Sequence, residues 1–166
     1  MGPDETLTSL MTESGDRLLR LAYQLTHDRS AAEDVVQEAL TSMYRSWRRR
    51  MPEVENAEAY ARRAVVNEYV RRRRLRAAGE VVTSEVPEAE AVEFEQGAVD
   101  RAALWRALGA LSARQRAVLV LRFYEDLPDA RIAEWLGVRE ATVRSLALRG
   151  LAALRQSALV VEGDRP

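Results

Sequence analysis

The sequence predicts an all-α fold: two small helical domains joined by an acidic, flexible linker. Apolar residues recur at helical spacing along most of the chain. Helix-starting patterns stand in front of several of those runs. Between them the charge reverses: VRRRRLRAAGEVVTSEVPEAEAVEFEQ, Val70 to Gln96, passes from five arginines to six glutamates. The expected organisation is an N-terminal tail over 1–13, a first domain over 14–76, a linker over 77–100, a second domain over 101–156 and a C-terminal tail over 157–166.

DRLLRLAYQLTHD puts Leu18, Leu21, Ala22 and Leu25 on one side of a first helix that ends near His27. In SAAEDVVQEALTSMYRSW the apolar positions Ala32, Val35, Val36, Ala39, Leu40, Met43, Tyr44 and Trp47 follow the period of a helix face. Ser30 and Glu33 form an S-x-x-E capping pattern at its start. Pro52 breaks the periodicity, and a third helix opens near Asn56 with Tyr60, Ala61, Ala64, Val65 and Val70 on its apolar side. The segment from Ala77 to Asp100 holds seven acids, no base, and Gly79, Pro87 and Gly97, a composition that repels itself and stays extended.

Past the linker, RAALWRALGAL gives a short helix, and Ser112 with Gln115 caps the next, ARQRAVLVLRFYED. Two further helices flank the Gly137-Val138 turn; Pro128 suits the first turn of one, with Ile132, Ala133 and Leu136 inward. Val143, Ala147, Leu151 and Leu154 form the inner stripe of the other. This is a helix-turn-helix pattern, shared by many DNA-binding families and imitated by some helical hairpins.

Of the 166 residues, 47% are hydrophobic, enough to bury real cores. Cysteine is absent and His27 is the single histidine, so disulfides, thiolate chemistry and metal ligation find little support; no metal and no cofactor are expected. No apolar run suits a membrane span, and the acidic, polar N-terminus is unlike a signal peptide, so the expected location is cytoplasmic without membrane insertion. No large C-terminal extension is expected beyond LVVEGDRP. All 25 basic residues are arginine. From Arg45 to Arg76 eleven arginines face four glutamates, and from Arg131 to Arg155 five face two. Two basic blocks thus flank an acidic one, and arginine's planar fork suits phosphates and base edges, although GC-rich codon usage also favours it.

The order of these parts, AAEDVVQEAL, then AVVNEYVRRRRLR, then the acidic linker, then ALGALSARQRAVLVLRFYEDLPDARIAEWLGVREATVRSLALRGLAALR, resembles the extracytoplasmic-function sigma factors of the sigma-70 family over roughly residues 14 to 156. The RGLAALR ending is closest in look to the actinobacterial SigE-like subgroup. The resemblance implies a sigma region 2 domain and a sigma region 4 domain. It implies a non-enzymatic factor that binds core RNA polymerase, directs it to promoters and helps melt them. Its partners would be core polymerase, duplex promoter DNA and the melted strand, with an anti-sigma protein as a further candidate.

Residue by residue, it places Asp34, Gln37, Glu38, Thr41 and Arg45 on the polymerase-binding strip of the second helix; a solvated helix face has the same composition. Asn56, Tyr60, Arg62, Arg63, Asn67, Arg71, Arg72 and Arg74 would meet the minus-ten element, the arginines neutralising phosphates and the loop RRRMPEVENAE receiving a flipped base near Asn56. Tyr60 and Tyr69 offer stacking surfaces, although Tyr60 also fits the apolar stripe as a core residue. Arg139, Glu140, Thr142, Arg144, Ser145, Leu148 and Arg149 would face the minus-thirty-five element, with Arg144 and Arg149 gripping bases. Arg139 stands where the family usually caps with serine, and Leu146 and Leu148 occupy usually polar positions; the leucines either touch thymine methyls or pack on another helix. In the resemblance the linker threads the polymerase channel as an RNA mimic; it is otherwise an acidic tether.

Two other readings remain open on sequence alone: a stand-alone dimeric helix-turn-helix regulator, and a sigma-like adaptor without competent DNA reading. An enzyme is least favoured, because no phosphate-binding G-x-x-x-x-G-K-[ST] loop occurs and His27 lacks a constellation of partners.

Overall fold

The structure is a computed structural model that describes residues 2–49, 56–79 and 98–163; the side chains at 98–100 and 158–163 are left aside. Among the described residues every regular element is helical, and the chain divides into two compact units.

The first unit packs three helices against one another: α1 (Pro3–Thr26), α2 (Arg29–Arg49) and α3 (Ala57–Ala77). Leu18, Leu21, Ala22 and Leu25 are fully buried, as their spacing predicts. The expected N-terminal tail is instead the first half of α1. Pro3 supplies a helix-ready φ at the first position, and Glu5 reaches back to accept from the Gly2 N–H at 3.2 Å. Leu10 and Ser14 are buried, and Asp4 lies close enough to Tyr44 of α2 to raise its phenol above the usual range. Polar composition concealed this helix because only its inner edge is apolar.

His27 ends α1 in the left-handed conformation at φ 57°, and Asp28, not Ser30, caps α2. Asp28 accepts from the N–H groups of Ser30 and Ala31, each at 3.2 Å, so the helix starts two residues earlier than a Ser30 cap implies. On α2 the predicted apolar face is buried from Ala32 to Trp47, except Tyr44, which is half-buried with Arg48 at 5.9 Å from its ring.

On α3 the inner stripe is Ala61, Val65, Val66 and Tyr69, a rotation from the expected one that turns Tyr60 outward. The two sets hold the same residue types, so packing against α1 and α2, not side-chain area, selects Val66 and Tyr69 for the core. Tyr69, 2% exposed, therefore offers no stacking face.

The second unit holds α4 (Ala98–Ala110), α5 (Ala113–Leu119), α6 (Asp129–Leu136) and α7 (Glu140–Gly163), with α7 packed on the other three. α7 runs well into the expected C-terminal tail. The Ser112 and Gln115 capping box forms as predicted, with the Gln115 N–H donating to Ser112 Oγ at 3.2 Å and the Ser112 N–H to Gln115 Oε1 at 3.4 Å.

Beyond Leu119 the helix widens into one π turn, Val120–Tyr124, closed by the Glu125 N–H donating to the Val120 carbonyl at 3.0 Å. Arg116 is buried at 2% exposure, and its guanidinium donates to the carbonyl of Leu108 at 2.9 Å and to that of Gly109, closing the C-terminal end of α4. Ile132, Ala133 and Trp135 face the core of α6, with Leu136 only half-buried.

Candidate functional site

Two surfaces of the first unit and one of the second carry the candidate residues. On α2 the positions 34, 37, 38, 41 and 45 recur at helical spacing opposite the buried face. Asp34, Gln37 and Arg45 are exposed, while Glu38 and Thr41 are half-buried. The Thr41 hydroxyl donates back to the Gln37 carbonyl at 2.8 Å. The strip is thus a rigid, acidic band on a helix whose other side is locked in the core.

On α3, Asn56 is the N-cap: its Oδ1 accepts from the Ala59 N–H at 3.0 Å. Its expected neighbours in the loop RRRMPEVENAE, from Arg50 to Glu55, lie outside the described residues, as do residues 80–97 of the acidic linker. Tyr60 is 37% exposed, with its ring tilted at 48° against buried Trp47 at a centroid distance of 5.8 Å. The tryptophan fixes the tyrosine while leaving one side of the ring open, which suits stacking.

The steps from Tyr60 through Arg63, Asn67, Arg71 and Arg74 keep these five residues on one side of the helix. Arg62 and Arg72 fall off that side, and both are half-buried. Glu58 pairs with Arg17 of α1 at 2.8 Å, tying the start of α3 to the bundle.

Glu68 is the residue sequence reasoning missed. Its side chain is 11% exposed and accepts from Arg71 Nε at 2.9 Å and Nη2 at 2.8 Å, and from Arg72 Nε at 2.9 Å. Arg72 Nη2 also donates across to the Asp34 carbonyl of α2 at 3.4 Å. Burial pushes the Glu68 carboxyl up, but the hydrogen bonds and charges of Arg71 and Arg72 outweigh it and hold the group below the usual carboxylate range. A glutamate three and four residues before two arginines was the available signal.

In the second unit, α6 and α7 meet at Gly137, whose left-handed φ of 65° a residue with a side chain reaches only with strain. Asp129, at the start of α6, accepts Arg122 from the π turn: Nε at 3.0 Å and Nη2 at 2.7 Å to either carboxylate oxygen. That pair ties the π turn to the start of α6. Val143 and Ala147 anchor α7 inward, and Gly150 lets α5 approach so closely that an added Cβ would stand 2.9 Å from Leu119 Cδ1.

The outward side of α7 presents Arg144, Ser145, Leu148 and Arg149, with the two arginines on its margins. Glu140 and Arg139 are exposed at its start, and Thr142 is half-buried on the flank. Of the two unusual leucines, Leu148 is 69% exposed and Leu146 half-buried, so Leu148 does not pack on another helix of its unit.

Among the described residues no group of three or more His, Cys, Asp or Glu side chains is placed to hold a metal, and no helix is long and apolar enough to cross a membrane. The described residues form two helical units, one pairing an acidic strip with an arginine-rich helix and the other presenting a helix-turn-helix.

Comparison with known proteins carries this further. Residues 10–78 match the family model for Sigma-70 region 2, and residues 101–154 match that for Sigma-70, region 4. The RNA polymerase sigma-E factor of Streptomyces coelicolor is 35% identical over 149 residues, covering 90% of this chain and 84% of its own. The ECF RNA polymerase sigma factor SigL of Mycobacterium tuberculosis is 35% identical over 158 residues, covering 90% and 86%. Among solved structures, the sigma factor RpoE from Bartonella quintana, in a co-crystal with the anti-sigma factor NepR, superposes with a TM-score of 0.63 at 21% identity over 95% of this chain and 98% of that one, a likeness of fold. The chain belongs to the sigma-70 family of RNA polymerase sigma factors, in its extracytoplasmic-function group.

Proposed function

We propose that this chain binds core RNA polymerase through the α2 strip of Asp34, Gln37, Glu38, Thr41 and Arg45, and directs it to promoters read by α3 and α7. The observation that carries the reading is the pairing of a rigid acidic helix face with two separate arginine-bearing helices in a chain of this family. An acidic band recognises a basic partner surface through charge complementarity, which guides encounter and fixes register.

On α3, Tyr60 and Asn67 face the melted minus-ten strand, by stacking and hydrogen bonding, while Arg63 and Arg74 neutralise its phosphates. On α7, Arg144 and Arg149 read the minus-thirty-five duplex, and Arg139, Glu140, Thr142 and Ser145 hold the helix to base edges and backbone. Leu148, exposed between the two arginines, suits a thymine methyl. The phosphoryl transfer of transcription then falls to the polymerase, and the chain works in the cytoplasm without catalysis of its own. An anti-sigma protein is a further candidate partner.

The test is association with purified core polymerase. Asp34→Ala, Gln37→Ala and Glu38→Ala together are expected to weaken the complex by at least about tenfold, or 1.4 kcal/mol, while leaving the helical circular dichroism unchanged. All three side chains point away from the core, so full affinity in the triple variant would remove the strip from the interface.

A further inference from the structure

We propose that Glu68 is a positioning residue that withholds Arg71 from promoter phosphates and turns it, with Arg72, toward the polymerase-facing helix. The inference rests on the promoter reading of α3 given above and assigns its arginines unequal tasks. Arg71 stands on the outward side of α3 with Arg63, Asn67 and Arg74, where a phosphate contact is expected. Its fork is nevertheless engaged in both directions by Glu68, Nε to Oε2 at 2.9 Å and Nη2 to Oε1 at 2.8 Å.

Glu68 is rigid. Its side chain is only 11% exposed, and Arg72 grips the same Oε1 at 2.9 Å while reaching the backbone of Asp34 at 3.4 Å. The carboxylate is therefore held between α3 and α2 and draws Arg71 to that side. Glu38, one turn beyond Asp34 on the α2 strip, adds a second negative charge close enough to act on Arg71. The start of the arginine run thereby becomes the basic margin of the acidic strip, and the DNA contact at this end of the helix passes to Arg74. One half-buried carboxylate joins the two surfaces.

The salt dependence of promoter binding counts phosphate contacts, because each one neutralised adds about 0.9 to the slope on duplex and about 0.7 on a single strand. The measurement uses the full chain bound to core polymerase on a promoter that it transcribes. Glu68→Gln, which keeps the shape and removes the charge, is expected to steepen the slope by about 0.7–0.9, one phosphate, as Arg71 swings out. Arg71→Gln alone is expected to leave the slope unchanged, and Arg71→Gln added to Glu68→Gln to restore it.

Arg74→Gln serves as the reference and is expected to flatten the slope by one phosphate. A flatter slope in Arg71→Gln alone, or an unchanged one in Glu68→Gln, overturns the proposal. A flatter slope in the single Arg71→Gln variant, which alters an exposed side chain, overturns the proposal even where Glu68→Gln fails to fold. If Arg74→Gln and Arg63→Gln also leave the slope unchanged, the promoter reading of α3 falls, and this proposal with it.

Discussion

Replacing Arg116 with alanine is expected to destabilise the second unit by about 3–5 kcal/mol, the largest effect of any single change considered. A guanidinium at 2% exposure survives burial only because its donors are used, here on the carbonyls of Leu108 and Gly109. Those carbonyls belong to the last turn of α4, where the Leu108 carbonyl also accepts from the Leu111 N–H at 3.2 Å and Arg116 adds the charge-assisted bonds. Removing the side chain strips each of a charge-assisted bond, worth about 1.5–3 kcal/mol, and leaves a void where a buried side chain stood.

Lysine at the same position is expected to recover less than half the loss, since a point charge does not reproduce a fork to two acceptors. Urea unfolding gives the total, and hydrogen exchange of the α4 and α5 amides locates it. Unchanged stability in the alanine variant would mean that Arg116 closes nothing.

The second large effect is on promoter choice. Arg144→Ala and Arg149→Ala are each expected to cost about 1–3 kcal/mol in binding a minus-thirty-five duplex and to relax the preference at one base position. The core of the unit is left alone, because both residues are exposed and lie outside the buried stripe of Val143 and Ala147. A uniform loss across all sequences would assign these arginines to phosphates instead. Selection from a randomised promoter library, before and after each substitution, separates the two outcomes.

What the sequence made legible was periodicity. The helices of both units, the Ser112 box and the turn at Gly137 followed from spacing and capping residues alone. The first ten residues of α1 did not, because Thr6, Thr8 and Thr12 are poor helix formers whose hydroxyls turn back onto the carbonyls of Gly2, Asp4 and Thr8. The rotation of α3 also escaped, since only tertiary packing decides whether Tyr60 or Tyr69 is buried.

The candidate surfaces were visible as charge. Which arginine does what was not, because composition counts Arg71, Arg72, Arg74 and Arg116 alike. Their surroundings separate them: a half-buried carboxylate for the first two, exposure for Arg74, and a helix end for Arg116. The π turn at Val120–Tyr124 leaves no trace in a pattern of apolar residues, yet it carries Arg122, which pairs with Asp129 at the start of α6.

Transcription by the reconstituted complex tests the central claim most directly. Purified chain is mixed with core RNA polymerase and a library of genomic promoter fragments, and run-off transcripts are sequenced. The account predicts a small set of discrete start sites, dependent on the chain and sharing elements at minus ten and minus thirty-five. A stable complex that yields no specific transcript would contradict it in favour of an adaptor. Sequence-specific binding as a dimer without polymerase would contradict it in favour of a stand-alone regulator.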